Sequence, residues 1–516
     1  MPKPFDFGGV NLTAGVDASG VRPSPETPFC IAILGDFSGR ANRGIHDAKA
    51  VGKSRAVLID RDNFDEVLSR SGAEIQLPLG DSGALHLQFS ELEDFHPDSI
   101  FQRLDIFAKL REMRGRLQDP STFQRAAEEL GLRLGHPEAD AKKPDTLPEV
   151  ASGVTGVASG SLLDAMIEQA EARVATQPPR SLDDEVGEFA RRVVAQHLVN
   201  SPDPRQAEVL AVVDRAIGGL MRGVLHNPDF QALEAAWRVV FLLVRQLETG
   251  SQLKLFLVDI SKQELAEDVS SAGSHKDLRN TGAYRLLVEQ SVETPGAEPW
   301  SIIVGNYSFG PAAEDAELLS RMAKIADRAG AVFLTGANPR LLGVASLAVA
   351  SSPRDWKLPE KSGGWAELRR LPEAGAVGLA LPRFMLRLPY GKKTSPLESF
   401  EFEEFTGEPA HEDYLWGSGA FAVALLLGQS FSDAGWEMRP GQFAEIEKLP
   451  LHVYPGDGGS QVKPCAEVVL TEDAVERMLE EGLIPLVSFK GRDVVRVARF
   501  QSIAESAPAL SGRWSK

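Results

Sequence analysis

Residues 28–39 read PFCIAILGDFSG, an apolar run that ends in turn-forming Gly, Asp and Ser. A short apolar run closed in this way predicts a buried β-strand followed by a turn. Three later segments have the same character and alternate with helical stretches, namely KLFLVDIS (254–261), WSIIVGNYSF (300–309) and AVFLTGAN (331–338). This alternation predicts an α/β core with a largely parallel sheet.

The residues around the first strand predict a domain of α+β type over residues 1–133. RAVLID (55–60) and GALHLQFSEL (83–92) alternate apolar and polar side chains, as half-buried strands do. Residues 99–117 carry apolar side chains at helical spacing, which predicts one helix with Pro97 near its start.

Three further regions follow along the chain. Residues 134–160 are rich in Pro, Gly, Ala and charge and lack a periodic apolar face, so they predict a flexible interdomain linker. Residues 161–250 predict a mainly helical block, because apolar side chains recur there at helical intervals. Residues 251–516 contain the remaining strand and helix signals and predict the α/β core.

Charge and cysteine content exclude several classes of protein. The chain has 55 Lys and Arg against 73 Asp and Glu, a net charge of -18, which is the wrong sign for nucleic-acid binding. Two distant cysteines, Cys30 and Cys465, cannot staple a chain of this length and indicate a reducing compartment. The sequence contains neither a signal-peptide pattern nor an apolar stretch long enough to span a bilayer. We therefore expect a soluble, cytoplasmic protein without nucleic-acid or membrane partners.

A search for reactive motifs predicts no catalytic residue, metal site or cofactor. GDFSGRANRG (35–44) has two glycines at the spacing of a phosphate-binding loop, but Ile45 and His46 replace the required Lys and Ser or Thr. The nine histidines are scattered singly, without a metal-ligand pair. His226, before Asn227 and Pro228, is better interpreted as a capping or core residue than as a general base.

An acidic segment, LESFEFEEF (397–405), has two interpretations. Its alternation favours a solvated strand edge with the phenylalanines facing the core over a pair of catalytic carboxylates or a cation site. Carboxylates at such an edge can also pair with basic residues of another subunit. The residues concerned are Glu398, Glu401, Glu403 and Glu404.

Taken together, these segments resemble a known bacterial machine. The N-terminal region resembles the small sheath subunit of type VI secretion systems in PFCIAILGDFSG (28–39), IDRDNFDEVL (59–68), LQFSELEDFHPDSI (87–100) and REMRGRLQDP (111–120). From residue 161 the chain resembles the large sheath subunit, through LLDAMIEQ (162–169), LHNPDFQALEAAWRVVFLLV (225–244), LKLFLVDISKQEL (253–265), ETPGAEPWSIIVGNYSF (293–309), LPRFMLRLPYG (381–391), FEFEE (400–404), YLWGSGAFA (414–422) and GLIPLVSFKGRD (482–493). The two subunits are normally separate chains, so the resemblance implies a fusion of both.

The resemblance implies a structural role in a contractile sheath around an inner tube, whose contraction drives the tube and its effectors into a neighbouring cell. No enzymatic activity is expected. The implied partners are copies of this chain or other sheath subunits, the inner-tube protein, the baseplate and a Clp-type AAA+ disaggregase. Rigid-body rearrangement of subunits releases energy that was stored at assembly.

Two segments are expected to bind partners. In the family, a short helix near the start of the large subunit is recognised by the disaggregase, and Leu162, Leu163, Met166 and Ile167 occupy the matching helix. An ordinary core helix explains the same apolar stripe equally well. Phe5, Phe7, Val10 and Leu12, in the N-terminal KPFDFGGVNLTAGV, are expected to form a strand donated between subunits.

Two alternatives to a polymerising sheath subunit follow from the sequence. The family's large subunit continues beyond GLIPLVSFKGRD into a further C-terminal segment that this sequence lacks, which favours a non-polymerising cap, baseplate adaptor or regulator. The second alternative is an enzyme or nucleotide-dependent regulator on the α/β core. It requires a ligand pocket near strand ends, at residues such as Asp36, Asp259 or Asn306, which the structural interpretation treats as turn residues.

Overall fold

The computed structural model describes residues 23–78, 84–119, 121–130, 206–273, 278–358, 363–456 and 459–515. We call residues 23–130 the N-terminal part and residues 206–515 the C-terminal part. Several predicted features lie outside the described residues: the linker 134–160, the strand residues Phe5, Phe7, Val10 and Leu12, and the helix residues Leu162, Leu163, Met166 and Ile167.

Among the described residues, the main sheet has nine strands, and its centre is parallel. The strands of the described chain are β1 Phe29–Gly35, β2 Val57–Ile59, β3 Ala73–Pro78, β4 Ala84–Phe89, β5 Leu253–Asp259, β6 Trp300–Phe309, β7 Val332–Ala337, β8 Val377–Leu381, β9 Phe384–Met385, β10 Trp416–Gly417, β11 Glu445–Ile446, β12 His452–Gly456, β13 Gly459–Lys463, β14 Leu483–Ser488 and β15 Val495–Val497. The strand order of the main sheet is β11-β15-β14-β8-β7-β6-β1-β5-β2. Strands β5, β1, β6, β7, β8 and β14 run parallel, as predicted, and antiparallel strands occupy both edges.

Strand β1 lies in the middle of this sheet, between β5 and β6 of the C-terminal part. Its seven residues are all buried, with Phe29, Ile31 and Ile33 in the core on one face of the sheet and Cys30 and Ala32 in the core on the other. A strand covered on both faces needs a continuous apolar run, which is what residues 29–34 supply. Both parts of the chain therefore build one sheet, with β1 of the N-terminal part between two strands of the C-terminal part.

Helices cover both faces of the sheet. In the described chain they are α1 Phe64–Ser71, α2 Pro97–Arg103, α3 Asp105–Gln118, α4 Phe123–Glu129, α5 Gln206–Leu225, α6 Pro228–Gln246, α7 Lys262–Ser270, α8 Ala313–Ala329, α9 Gly364–Arg370, α10 Gly419–Ala434 and α11 Glu472–Glu480, together with a one-turn helix Gly282–Tyr284, a π-helix over Arg285–Glu293 and short 3-10 helices such as Ala48–Lys53. Helices α1–α6 and α10 bury their apolar side chains in the core on one face, and α7, α8, α9 and α11 bury theirs on the other. The result is a three-layer arrangement of the predicted α/β type.

Two local predictions need correction. The helix predicted over residues 99–117 is two helices, because Leu104 has extended backbone angles between α2 and α3. The acidic segment predicted as a strand edge has no strand: residues 397–405 form an irregular connection, in which Phe400 and Phe402 are nevertheless buried. GALHLQFSEL supplies β4, which pairs with β3 in a separate hairpin.

Candidate functional site at the junction of the two parts

The ends of β1 and β5 carry an ionic cluster that joins the two parts of the chain. Arg40, which follows β1, donates to Asp259 Oδ2 at 2.7 Å and to Glu264 Oε2 at 3.0 Å. Glu264, in the first turn of α7, is almost fully buried, and its side chain also accepts the N–H of Ser261 in a capping box. Burial raises the pKa of Asp259, and the charge of Arg40 offsets this only in part. Arg40 thus binds two carboxylates of the C-terminal part and offsets part of their negative charge.

The loop that resembles a phosphate-binding loop is occupied by contacts within the chain. Asp36 accepts the backbone N–H groups of Arg40 and Ala41 at 2.9 and 2.8 Å, and Asp259 accepts those of Phe37 and Ser38. Gly39 has a φ of 70°, and a Cβ atom there would lie 2.3 Å from the carbonyl oxygen of Glu74. The N–H groups that would bind a phosphate are therefore already used by side-chain carboxylates of this chain.

Of the strand-end residues that the enzyme hypothesis requires, two have structural roles. Asp36 and Asp259 hold the turn after β1 through the contacts above, whereas Asn306 lies within β6 rather than at its end. In the described parts of the chain, no group of three or more His, Cys, Asp and Glu side chains is placed to hold a metal ion. No helix among the described residues is long and apolar enough to cross a membrane.

A second contact across the junction is aromatic. Trp237 of α6 is fully buried, and its Nε1 donates to the carbonyl oxygen of Phe37 at 2.9 Å. Its ring packs edge to face against Phe37 at 5.5 Å and against Phe64 of α1 at 5.8 Å between centroids. Helix α6 of the C-terminal part is thereby attached to two residues of the N-terminal part, Phe37, which precedes β2 in the chain, and Phe64, which follows it.

The predicted acidic edge divides into exposed and buried carboxylates. Glu398, Glu401 and Glu403 are exposed, but Glu404 is only 1% exposed and binds Arg387 at 2.8 Å. Burial alone would raise the pKa of Glu404, yet the charge of Arg387 and the contacts from His226 and Arg387 lower it to about 2. Glu404 is thus not a solvated residue of an intersubunit edge, and that prediction is wrong for it.

The side chain of His226 is 7% exposed and lies between two carboxylates. Its Nε2 is 3.5 Å from Glu404 Oε1, and its Nδ1 is 3.6 Å from Asp413 Oδ2. The cap of the following helix α6 is not His226 but Asn227, whose side chain accepts the N–H groups of Asp229 and Phe230.

Sequence reasoning missed the charged residues that connect the parts and fill the core. Arg387 bridges Glu404 and the fully buried Glu234 of α6, at 2.8 and 2.9 Å. Arg40 lies within GDFSGRANRG, the segment that resembles a phosphate-binding loop. Arg40 and Arg387 each adjoin an apolar segment, and this is the feature of the sequence that could indicate a buried ion pair. It does not reveal which carboxylates, distant in the chain, are the partners.

Comparison with known proteins assigns each part of the chain separately. Residues 207–504 match the sequence model of the VipB family, described as the tail sheath N-terminal domain, and residues 8–134 match the VipA family of the type VI secretion system. The type VI secretion system sheath protein TssC1 of Pseudomonas aeruginosa is 33% identical over 339 residues, which cover 63% of this chain and 68% of the relative. The sheath protein TssB1 of the same organism is 27% identical over 120 residues, 22% of this chain and 68% of the relative.

The chain is therefore a tail-sheath protein. It belongs to the sheath family of the type VI secretion system and joins a small-subunit part and a large-subunit part in one polypeptide, as its sequence predicted. The structure adds that the two parts complete one β-sheet.

Proposed function

We propose that this chain is a sheath building block, which assembles with further copies around an inner tube in the cytoplasm and contracts to drive effector delivery. The observation that carries the proposal is the position of β1 between β5 and β6, because it makes the fused small and large parts one rigid body. A helical assembly forms when copies of one rigid unit make the same contact with each neighbouring copy.

The proposed mechanism is mechanical and uses no catalytic residue. Assembly holds the copies in an extended arrangement, and contraction moves them as rigid bodies into a second arrangement. Two ionic clusters support this role, since their charged side chains bind one another within the chain. Arg40 binds Asp259 and Glu264 across the junction, and Arg387 binds Glu234 and Glu404 within the C-terminal part. We propose the inner-tube protein, the baseplate and other sheath subunits as partners.

Electron microscopy of the purified full-length protein tests this function. The protein is imaged in negative stain alone, and then with inner-tube protein and separate sheath subunits from the same source. Tubular polymers of the protein are the expected result. Discrete particles bound only to the ends of tubes would instead favour a cap or baseplate adaptor, and particles that engage neither sheath nor tube would contradict a sheath role.

A Clp-type disaggregase is the proposed recycling partner, and Leu163 is the residue to change. Leu163→Asp places a charge in the apolar stripe that the sequence predicts for Leu162, Leu163, Met166 and Ile167, so we expect it to abolish disaggregase binding while the fold persists. Binding is measured by co-sedimentation and the fold by circular dichroism. Retained binding, or a misfolded variant, would contradict recognition through this helix.

A further inference from the structure

A cleft of about 820 Å³ opens on one face of the sheet, beside the edge strand β2. It lies between residues 52–56 of the N-terminal part and the π-helix of the C-terminal part. Phe256 and Trp300 form an apolar wall, with their rings edge to face at 5.2 Å. The volume is in the range of pockets that enclose a ligand or a few side chains.

The cleft carries uncompensated positive charge. Lys53 and Arg55 line it and are exposed, and neither forms a salt bridge with any residue that the structure describes. The one acidic side chain among its lining residues, Glu298, is bound by Lys254 Nζ at 2.5 Å. On a chain of net charge -18, two free cations beside an apolar wall favour a ligand that presents carboxylates.

The exposed carboxylates of the acidic segment are such a ligand, and they are held in place. Asp98 accepts the backbone N–H groups of Glu398 and Ser399, each at 2.9 Å. The next residue, Phe400, packs against Phe101 at 4.4 Å between ring centroids. Glu398 and Glu401 are exposed, and within the described chain neither is in a salt bridge. A segment anchored in this way loses little conformational entropy when it binds.

The cleft and the acidic segment lie on opposite faces of the nine-stranded sheet. Leu286 and Trp300 of the cleft belong to the core on the α8 face, whereas Phe400 and Phe402 belong to the core on the α6 face. Two surfaces on opposite faces of one molecule cannot contact each other within that molecule, even when their charges are complementary. A contact between them would join two copies head to tail, and a contact of that kind repeats as a ring or an open helix.

We propose that the cleft at Lys53 and Arg55 receives Glu398 and Glu401 of a second copy. This inference deepens the proposed function, on which it rests, by naming the charged contact that propagates assembly. The contact weakens with added salt, because its charges are at the surface.

The test exchanges the charges of the two surfaces. One variant carries Lys53→Glu and Arg55→Glu, a second carries Glu398→Lys and Glu401→Lys, and a third carries all four changes. A control variant carries Arg439→Glu and Arg499→Glu, two exposed arginines next to the opposite edge of the sheet. Self-association of each full-length protein is measured by sedimentation velocity over a range of concentrations and salt, and particle shape by electron microscopy.

Each two-residue exchange should raise the concentration for half-maximal association at least about tenfold, and the four-residue variant should return close to the wild-type value. The control variant should associate like the wild type. Wild-type tubes that persist in both exchanged variants, or a four-residue variant without recovery, would overturn the contact but leave the sheath function standing. Salt-sensitive oligomers that weaken in both two-residue variants and recover in the four-residue variant would support the contact. If these oligomers form no tubes, they would contradict the sheath function. A wild type that stays monomeric would overturn both.

Discussion

The Nε1 of Trp237 donates a 2.9 Å hydrogen bond to the carbonyl oxygen of Phe37, and it connects a helix of the C-terminal part with the turn after β1. Both residues are fully buried, so this bond exists only when the two parts are folded together. Neither part can bury its apolar surface alone, because β1 contributes to the cores on both faces of the sheet. The two parts therefore fold together as one unit.

Cleavage of the connection should therefore leave the protein intact. We expect that a protease site introduced between residues 134 and 160 can be cut without separating the fragments, because β1 remains hydrogen-bonded between β5 and β6. Gel filtration of the cut protein should give one peak that contains both fragments, and heating should give one unfolding transition. Fragments that elute separately under native conditions would contradict a shared core.

The sequence predicted the elements of the sheet better than their arrangement. PFCIAILG was recognisable as a buried strand because apolar side chains fill both of its faces, and the parallel core followed from alternating strands and helices. The insertion of β1 between β5 and β6 was not predictable, because a buried apolar run carries no information about its neighbours. Register and strand order depend on packing between residues more than 200 positions apart.

The acidic segment shows why the candidate site was only partly predictable. The alternation of Phe and Glu correctly placed Phe400 and Phe402 in the core, but it wrongly placed Glu404 at the surface as a strand residue. A buried carboxylate requires a cation, and Arg387 lies in a different segment. Pattern analysis assigned all four glutamates one role, whereas tertiary contacts divide them into exposed and buried groups.

Arg40 provides a second test of the junction. Arg40→Met removes the cation that binds Asp259 and Glu264 and leaves both carboxylates unpaired. We expect a loss of about 2–4 kcal/mol in the free energy of unfolding, which is below the full cost of breaking a buried pair because Arg40 is partly exposed. Urea unfolding followed by tryptophan fluorescence measures the change.

The matched control for Arg40 is Arg70→Met, which breaks the exposed pair with Glu66 on α1. We expect that change to stay within about 0.5 kcal/mol, as for other surface pairs. Equal effects of the two substitutions would contradict a special role for Arg40 at the junction.

Acid should destabilise the protein through Glu404 and Glu467. Burial acts to raise the pKa of each, but ionic and hydrogen-bond partners, Arg387 for Glu404 and His411 and Arg383 for Glu467, lower both pKa values from 4.5 to about 2. Because the folded-state pKa is depressed, the stabilisation is complete above pH 4.5 and is lost as the pH falls toward 2. Each carboxylate contributes on the order of 3 kcal/mol across that window.

Unfolding in urea at pH 7 and at pH 3 measures this acid dependence. Glu404→Gln should be less stable than the wild type at pH 7, since Arg387 loses a buried anion, and should lose less stability on going to pH 3. Glu401→Gln, an exposed neighbour, should retain the wild-type difference between the two pH values. An unchanged pH difference in Glu404→Gln would show that other groups cause the acid sensitivity.

The backbones of the two parts pack closely at Gly52 and Gly282, and a methyl group there should separate them. A Cβ atom on Gly282 would lie 2.3 Å from the backbone nitrogen of Gly52 and 2.8 Å from its Cα. Backbone atoms cannot rotate away as a side chain can, so Gly282→Ala must shift the 3-10 helix Ala48–Lys53 relative to α7 and the π-helix. We expect a cost of about 2–4 kcal/mol in the free energy of unfolding, measured in urea.

Gly250→Ala, at a position with nothing within 4 Å of the added atom, is the control and should change stability by less than about 1 kcal/mol. A Gly282→Ala protein as stable as that control would mean that the two parts are not packed tightly at this point.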